Sequence, residues 1–281
     1  MSRYLRISVL IGLLLFLFLT PSLHAQAILT HQSGEQTVAV EALKPAFDND
    51  QGVEFATSAW FLSGLWQFND NWAFTAELPL ARYGQEVSVN GQPTVDISET
   101  TVGNLYAGIR YGHNNGPFMA NLGIRLPFAE QDKLNAELAG RFSDVERWDA
   151  FIPNALGFIG TGQYRYQLAS GFFVGARGGG SFLVNTDKDE GEDASDLYLL
   201  YGLSAGYRAP RFDLTADFSG RFLATNDEGG FGANSWHFAG ISATYKAGRI
   251  WPGVQFKLPL DKDSRDVVDF VGGVHFLINL K

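Results

Sequence analysis

The chain has 281 residues, no cysteine, 18% charged residues and a formal net charge of −9, with 23 Phe, 10 Tyr, 6 Trp and 32 Gly. An exported soluble domain of this length carries about 25% charged residues, so charge is being kept off a large area, as contact with lipid would do. The acidic balance excludes nucleic acid as a partner, and the missing cysteines exclude disulfides and a lipoprotein anchor.

Met1 to Ala25 reads as a secretory signal peptide: Arg3 and Arg6 precede the apolar run Ile7 to Leu19, which is followed by small residues ending at Ala25. The run is too short for a spanning helix, which needs about 20 residues. Cleavage after Ala25 removes two arginines and no acids and leaves 26–281 as a single domain, with 19 basic against 30 acidic residues. Nothing downstream is long and apolar enough for a transmembrane helix.

From Gln36 the chain carries about twelve segments in which apolar residues alternate with polar or small ones, the period of a strand with two different faces. They run from Gln36 to Leu43, Val53 to Phe68, Trp72 to Tyr83, Val102 to Tyr111, Phe118 to Phe128, Leu156 to Leu168, Phe172 to Val184, Leu197 to Tyr207, Phe212 to Leu223, Ser235 to Tyr245, Ile250 to Pro259 and Val268 to Leu280. In the ninth, Phe212, Leu214, Ala216, Phe218, Gly220 and Phe222 oppose Asp213, Thr215, Asp217, Ser219 and Arg221. Lipid outside and water inside accounts for both rows. Six tyrosines, at 83, 111, 164, 166, 207 and 245, stand near segment ends, where an interfacial girdle places aromatics.

The connections are sorted. After even-numbered segments they are tight, as in Asn69-Asp70-Asn71 and Ala169-Ser170-Gly171; after odd-numbered ones they are long and polar, as in Gly84 to Thr101 and Ala129 to Ala155. Short periplasmic turns, long extracellular loops and an even strand number define a Gram-negative outer-membrane barrel. The expected fold is therefore an all-β, transmembrane, antiparallel up-and-down β-barrel of about 12 strands with both termini periplasmic. Its last strand, Val268 to Leu280, should close the wall on Gln36 to Leu43.

Three segments end in Leu78-Pro79-Leu80, Leu126-Pro127-Phe128 and Leu258-Pro259-Leu260, prolines placed where pairing stops. The stretch Val102-Gly103-Asn104-Leu105-Tyr106-Ala107-Gly108-Ile109-Arg110-Tyr111, followed by Asn121-Leu122-Gly123-Ile124-Arg125-Leu126-Pro127-Phe128, resembles the glycine-led hairpin of the outer-membrane barrels named for the phenol-degradation meta pathway. Leu65 to Leu80 is similar to the preceding hairpin of that family. The resemblance spans about a third of the chain and implies a transporter for small, often hydrophobic or aromatic, compounds. The chain departs from many outer-membrane proteins in ending Asn279-Leu280-Lys281 instead of in an aromatic, so the signal to the barrel-assembly machinery rests on Phe276.

The face assignment sends Arg110, Arg125, Arg165 and Arg177 from four consecutive strands into the lumen. Glu41, Glu77, Asp213, Asp217 and Asp269 face them from other strands, with Arg221 and Lys257 interspersed. Buried charge persists only when hydrated or paired. Two readings stay open: a transverse field across a narrow pore that touches anionic solutes, or an ion-pair network that fills the barrel. The loop Ala129 to Ala150 places Glu130, Leu134, Glu137 and Leu138 at helical spacing; a solvated extracellular helix is expected there, with an inward constriction as the alternative.

No metal or cofactor site is expected. The acidic loop Asp187-Lys188-Asp189-Glu190-Gly191-Glu192-Asp193 has its glycine at the fifth position instead of the sixth and no Glu at the twelfth, which argues against an EF-type calcium loop and leaves a diffuse divalent-ion site or a solvated acidic loop. No nucleophile motif accompanies His237, the histidine best placed to serve a Ser-His pair with Ser235, so the chain is expected to be no enzyme. The function expected is that of a porin-like channel or transporter in the outer membrane, passing small solutes and surrounded by lipid. An outer-membrane lipid hydrolase and a plugged structural or adhesion barrel are the alternatives.

Overall fold

The computed structural model describes residues 36–47, 53–89, 92–112, 116–187, 194–225 and 230–280. The expected signal peptide, His31, residues 113–115 and most of the acidic loop (188–193) lie outside the described residues.

The strands are β1 (Thr37–Phe47), β2 (Val53–Phe55), β3 (Ser58–Gln67), β4 (Trp72–Val89), β5 (Gln92–Val102), β6 (Leu105–Tyr111), β7 (Phe118–Leu126), β8 (Ala155–Gln167), β9 (Phe172–Asn185), β10 (Ser195–Arg208), β11 (Phe212–Leu223), β12 (Ser235–Tyr245), β13 (Ile250–Pro259) and β14 (Val268–Asn279). All pairings are antiparallel, and twelve strands close the wall: β1, β3, β4 and then β6 to β14 in sequence. β14 pairs with β13 on one side and with β1 on the other, from Thr37 opposite Asn279 to Phe47 opposite Val268. Leu280 N–H donates to Gln36 O at 2.8 Å and extends this seam by one more bond. With the edges joined, no row of backbone donors is left facing hydrocarbon.

Alternation places the two side-chain rows as the sequence led one to expect. Outward residues form an exposed apolar belt that includes Leu122 and Leu203, each 62% exposed, with Val174, Ile241, Val254 and Phe276. Tyr111, Tyr164, Tyr166 and Tyr245 are exposed near the tight-turn rim, where Trp72 packs on Tyr111 at 4.8 Å between ring centroids. The turn after β3 is held by Asn69, whose Oδ1 accepts from the backbone N–H of Asn71 and Trp72, each at 2.9 Å.

One expected connection and two expected segments differ. Gly84 to Thr101, read as a polar loop, is a β-hairpin: β4 runs on to Val89 and β5 pairs with it beyond the rim. The second expected segment is divided at Ala56 and Thr57 into β2 and β3, which share the register of β4. The fourth is broken at Gly103 and Asn104, where the pairing with β4 shifts by one residue between β5 and β6. A bulge has a similar effect at Ala46 and Phe47. It turns Val268 inward and leaves Asp269 exposed, so Asp269 does not face the lumen as period-2 counting required.

Candidate functional site: an inward segment held by wall charges

Between β7 and β8 the chain forms α1 (Leu134–Ser143) and a 3-10 turn, Val145–Phe151. This is the stretch expected to be a solvated extracellular helix. Instead it folds into the barrel: Ala136, Ala139, Ala150 and Phe151 are completely buried. The reason is its apolar content. Val145, Ala150 and Phe151 join Leu43, Ala59, Phe61, Phe238, Val268 and Val271 of the wall in one core cluster, and Trp148 stacks on Trp236 at 5.6 Å. Leaving those rings in water would forfeit about 1.5–3 kcal/mol for each large side chain.

The break in the wall is the socket. Gly103 has no room for a side chain, because a Cβ there would run into Ala150 O and the rings of Phe151 and Pro79. Asn104, fully buried, ties down both ends of the insertion. Its Oδ1 accepts from Phe128 N–H and Ala129 N–H, each at 2.9 Å, and its Nδ2 donates to Asp149 O at 3.0 Å and Ile152 O at 2.6 Å. Its backbone N–H donates to Ala150 O at 2.6 Å.

Charge completes the attachment. Arg147 donates to Glu41 on β1 at 2.7 Å and to Glu77 on β4 at 3.2 Å, and pairs with Asp144 at 2.7 Å; its guanidinium lies 3.5 Å from the Phe61 ring centroid. The acids of the insertion meet the bases of the wall. Asp144 pairs with Lys257 on β13 at 3.1 Å, and Glu146 pairs with Arg177 on β9. Asp149 faces Arg221 on β11 at 3.4 Å and Arg125 on β7 at 3.7 Å, and accepts from Ser181 on β9 at 3.0 Å. Six strands on all sides of the lumen thus hold the short stretch Asp144 to Asp149. Burial by itself would raise the Asp144 carboxyl, but Lys257 and Arg147 outweigh it and bring the group down to about 2. Burial works against the Arg147 cation too, and Glu41, Asp144 and Glu77 more than offset it, leaving its proton held more tightly than usual.

A carboxyl whose folded value is depressed contributes stability above its unfolded value, near 3.9, and that contribution fades only as the pH falls toward 2. The insertion should therefore stay seated across ordinary acid. Single-channel records at about pH 4.5 and pH 7 are expected to show the same conductance; a severalfold rise at the lower pH contradicts a seat that depends on Asp144.

The other expected lumen residues divide between this network and the wall below it. Arg125 belongs to the network through Glu77 at 2.8 Å and Asn104 O at 3.0 Å. Arg110 donates to Asn121 Oδ1 at 3.1 Å, and Asp213 pairs with Lys246 and Arg208 near the tight-turn rim at 2.5 and 3.4 Å. Asp217 is half-buried with one oxygen unpartnered. Arg165, 4% exposed, lies over the Phe173 ring at 4.5 Å with Nε and Nη1 buried and without hydrogen-bond partners. Asn104, Asp144, Glu146, Arg147 and Asp149 were not anticipated. The signal available in the sequence was the run Phe142 to Phe151, whose large apolar residues suit a buried segment better than a solvated loop.

A small space remains on one side of the lumen. A cavity of about 30 Å³, room for a water or two, lies between Glu146 and the β7–β10 wall, lined by Asn121, Thr161, Gln163, Arg177 and Leu200. Among the described residues no group of three or more His, Asp or Glu is arranged to hold a metal ion.

The sequence matches no family model and no curated protein. Among solved structures, the chain is similar to an outer-membrane channel from Pseudomonas putida F1, at 12% identity and a TM-score of 0.60 over 90% of this chain and 98% of that one. It is similar to the translocator domain of the autotransporter NalP from Neisseria meningitidis, at 12% identity and TM-score 0.54 over 89% of each chain. It is also similar to the NanC porin, at 8% identity and TM-score 0.53 over 87% of this chain and 100% of that one. At these identities the likeness is one of fold, the outer-membrane β-barrel.

Proposed function

We propose that this outer-membrane barrel is a channel that passes small solutes along the β7–β10 side of its lumen, past the inserted segment. The observation that carries this reading is the polar row beside the inserted segment, where Asn121, Gln163 and Arg177 line a water-sized cavity next to Glu146. The fold it shares with an outer-membrane channel and a porin supports it.

The chemistry of the passage favours solutes bearing a carboxylate. Such a group can exchange with Glu146 for the Arg177 guanidinium, and Arg165, with two unpartnered N–H groups closer to the tight-turn rim, continues the cationic track. A small aromatic or hydrophobic cargo, which the family resemblance implies, is the second reading of the solute. Membrane lipid against the apolar belt and the assembly machinery acting on β14, with Phe276 exposed, are the partners proposed for this barrel.

Planar-bilayer recording tests the channel directly. Discrete conductance steps are expected, and Arg177→Ala and Arg165→Ala should each lower the anion-to-cation permeability ratio severalfold. Silent bilayers, with no solute uptake into liposomes, overturn the proposal. The ion pairs that tie the insertion to six strands favour a second reading, a sealed structural barrel, which conducts only after the insertion is released.

A further inference from the structure

The long-loop rim carries another polar constellation, on the outward side of the wall. Tyr201 of β10, Gly220 of β11 and His237 of β12 are successive cross-strand partners, in the same outward rows as the exposed Leu203 and Ile241. Because residue 220 has no side chain, the Tyr201 ring can cross β11: a Cβ there would collide with it. The phenol thereby reaches His237, with Oη 2.6 Å from Nε2. On the far side, Asp261 lies 2.7 Å from His237 Nδ1 and also accepts from the His237 backbone N–H.

A carboxylate only accepts, so Nδ1 carries the proton and Nε2 presents its lone pair to the Tyr201 O–H. The imidazole stacks on Phe218 at 5.5 Å, with Phe231, 56% exposed, at 5.9 Å. The inward residue beside His237 is Trp236, packed against Trp148. A carboxylate, an imidazole and a hydroxyl in one hydrogen-bonded chain is the arrangement that activates an oxygen nucleophile. The sequence reading set His237 beside Ser235 without a nucleophile motif; the fold brings it the phenol of Tyr201 from β10 instead.

We propose that Tyr201, His237 and Asp261 form a hydrolytic site for acyl esters of outer-leaflet lipids. The substrate class follows from placement, since the site opens on the lipid-facing wall where the strands leave the apolar belt. Tyr201 Oη attacks the ester carbonyl carbon as its proton passes to His237 Nε2. The bond between acyl carbon and alcohol oxygen breaks, and the alcohol departs with that proton. Water then attacks the acyl-tyrosine ester; its proton returns through His237 to Oη as the fatty acid leaves. Asp261 is a positioning residue that fixes the imidazole tautomer. The site stands whether or not the lumen conducts.

The test uses the full-length barrel in detergent, an aryl sulfonyl fluoride that reacts with activated phenols, and peptide mass spectrometry. Tyr201 is expected to label at least about tenfold faster than the exposed Tyr164, Tyr166 and Tyr245 in the same sample, a comparison that needs no variant. Fatty-acid release is measured from mixed micelles of diacyl glycerophospholipid and, separately, of lipopolysaccharide; release from one alone assigns the ester. Tyr201→Phe and His237→Ala should abolish release. Asp261→Asn should slow Tyr201 labelling about tenfold, with Asp261→Glu restoring most of it, which loss of a merely structural contact would not produce. Labelling of Tyr201 no faster than of Tyr164, or release from neither micelle, overturns the proposal.

Discussion

Arg147→Ala is expected to release the inserted segment and raise single-channel conductance severalfold. The substitution removes the one cation among the described residues that touches Glu41, Glu77 and Asp144 together; Glu77 keeps Arg125 and Asp144 keeps Lys257, whereas Glu41 loses its ion-pair partner and keeps the Gln255 amide. Breaking a buried pair from one side costs about 3–5 kcal/mol where the partner charge stays behind uncompensated, as Glu41 does here. The wall pairs with its own neighbours through every strand, so the relief available is expulsion of residues 134–151 with the barrel left intact. Protease cleavage within 134–151 and heat-modifiable mobility of the barrel on gels report the two halves of that statement separately. Unchanged conductance together with a protease-resistant segment would mean that apolar packing around Phe151 and Trp148 suffices to seat it. Arg147→Lys keeps the charge but loses the planar fork that reaches Glu41 and Glu77 at once, and an intermediate opening is expected.

Asn104→Ala should have an effect of similar size by a different route. The side chain satisfies two N–H groups at the start of the insertion and two C=O groups at its end, and all four are left without that partner in the variant. At about 1 kcal/mol for each net hydrogen bond, with more for groups that stay buried, the loss is about 4 kcal/mol. Asn104→Asp keeps the acceptor for Phe128 and Ala129 but puts an oxygen against two carbonyls, so it should be no better tolerated than Ala. Hydrogen exchange of the Phe128 and Ala129 amides checks this: a hundredfold or greater acceleration is expected, and retained protection would place the clasp elsewhere.

The difference between wall and insertion explains what the sequence could disclose. Strand alternation is written within ten residues, so the rows of β11 and β14 and the closure of Val268 onto the first strand were legible without any distant partner. The bulge at Ala46 and Phe47 was not, because a one-residue slip leaves no local mark and changes only which of Val268 and Asp269 turns inward. The hairpin beyond Tyr83 was hidden by its polarity: a strand pair standing clear of the membrane needs no apolar row. The buried insertion was hidden by distance. Arg147 lies 106 residues from Glu41 and 70 from Glu77, and nothing near it in the chain identifies those partners. Its own neighbours, Phe142, Trp148 and Phe151, did carry the information that this loop has more to bury than to hydrate. Parity sent the arginines to the inner row, but it could not show that Arg125 and Arg221 are engaged by Asp149, a residue from the loop thought to be solvated.

The reach of Arg147 to β1 also bears on the order in which the molecule can be made. The first strand has to wait for the last before the seam between Thr37 and Asn279 exists, and until then the nascent sheet is an open ribbon with two free edges. Residue 147 is synthesised between those two strands and carries a contact for Glu41 that does not need β14. A segment already lodged on β4 and β1 is expected to act as an internal mandrel that holds the early half of the ribbon curled, on the side where Lys257 and Arg221 bring the remaining anchors. Variants that loosen the segment should accordingly slow closure of the cylinder in refolding from urea, even where the finished wall is as stable as before.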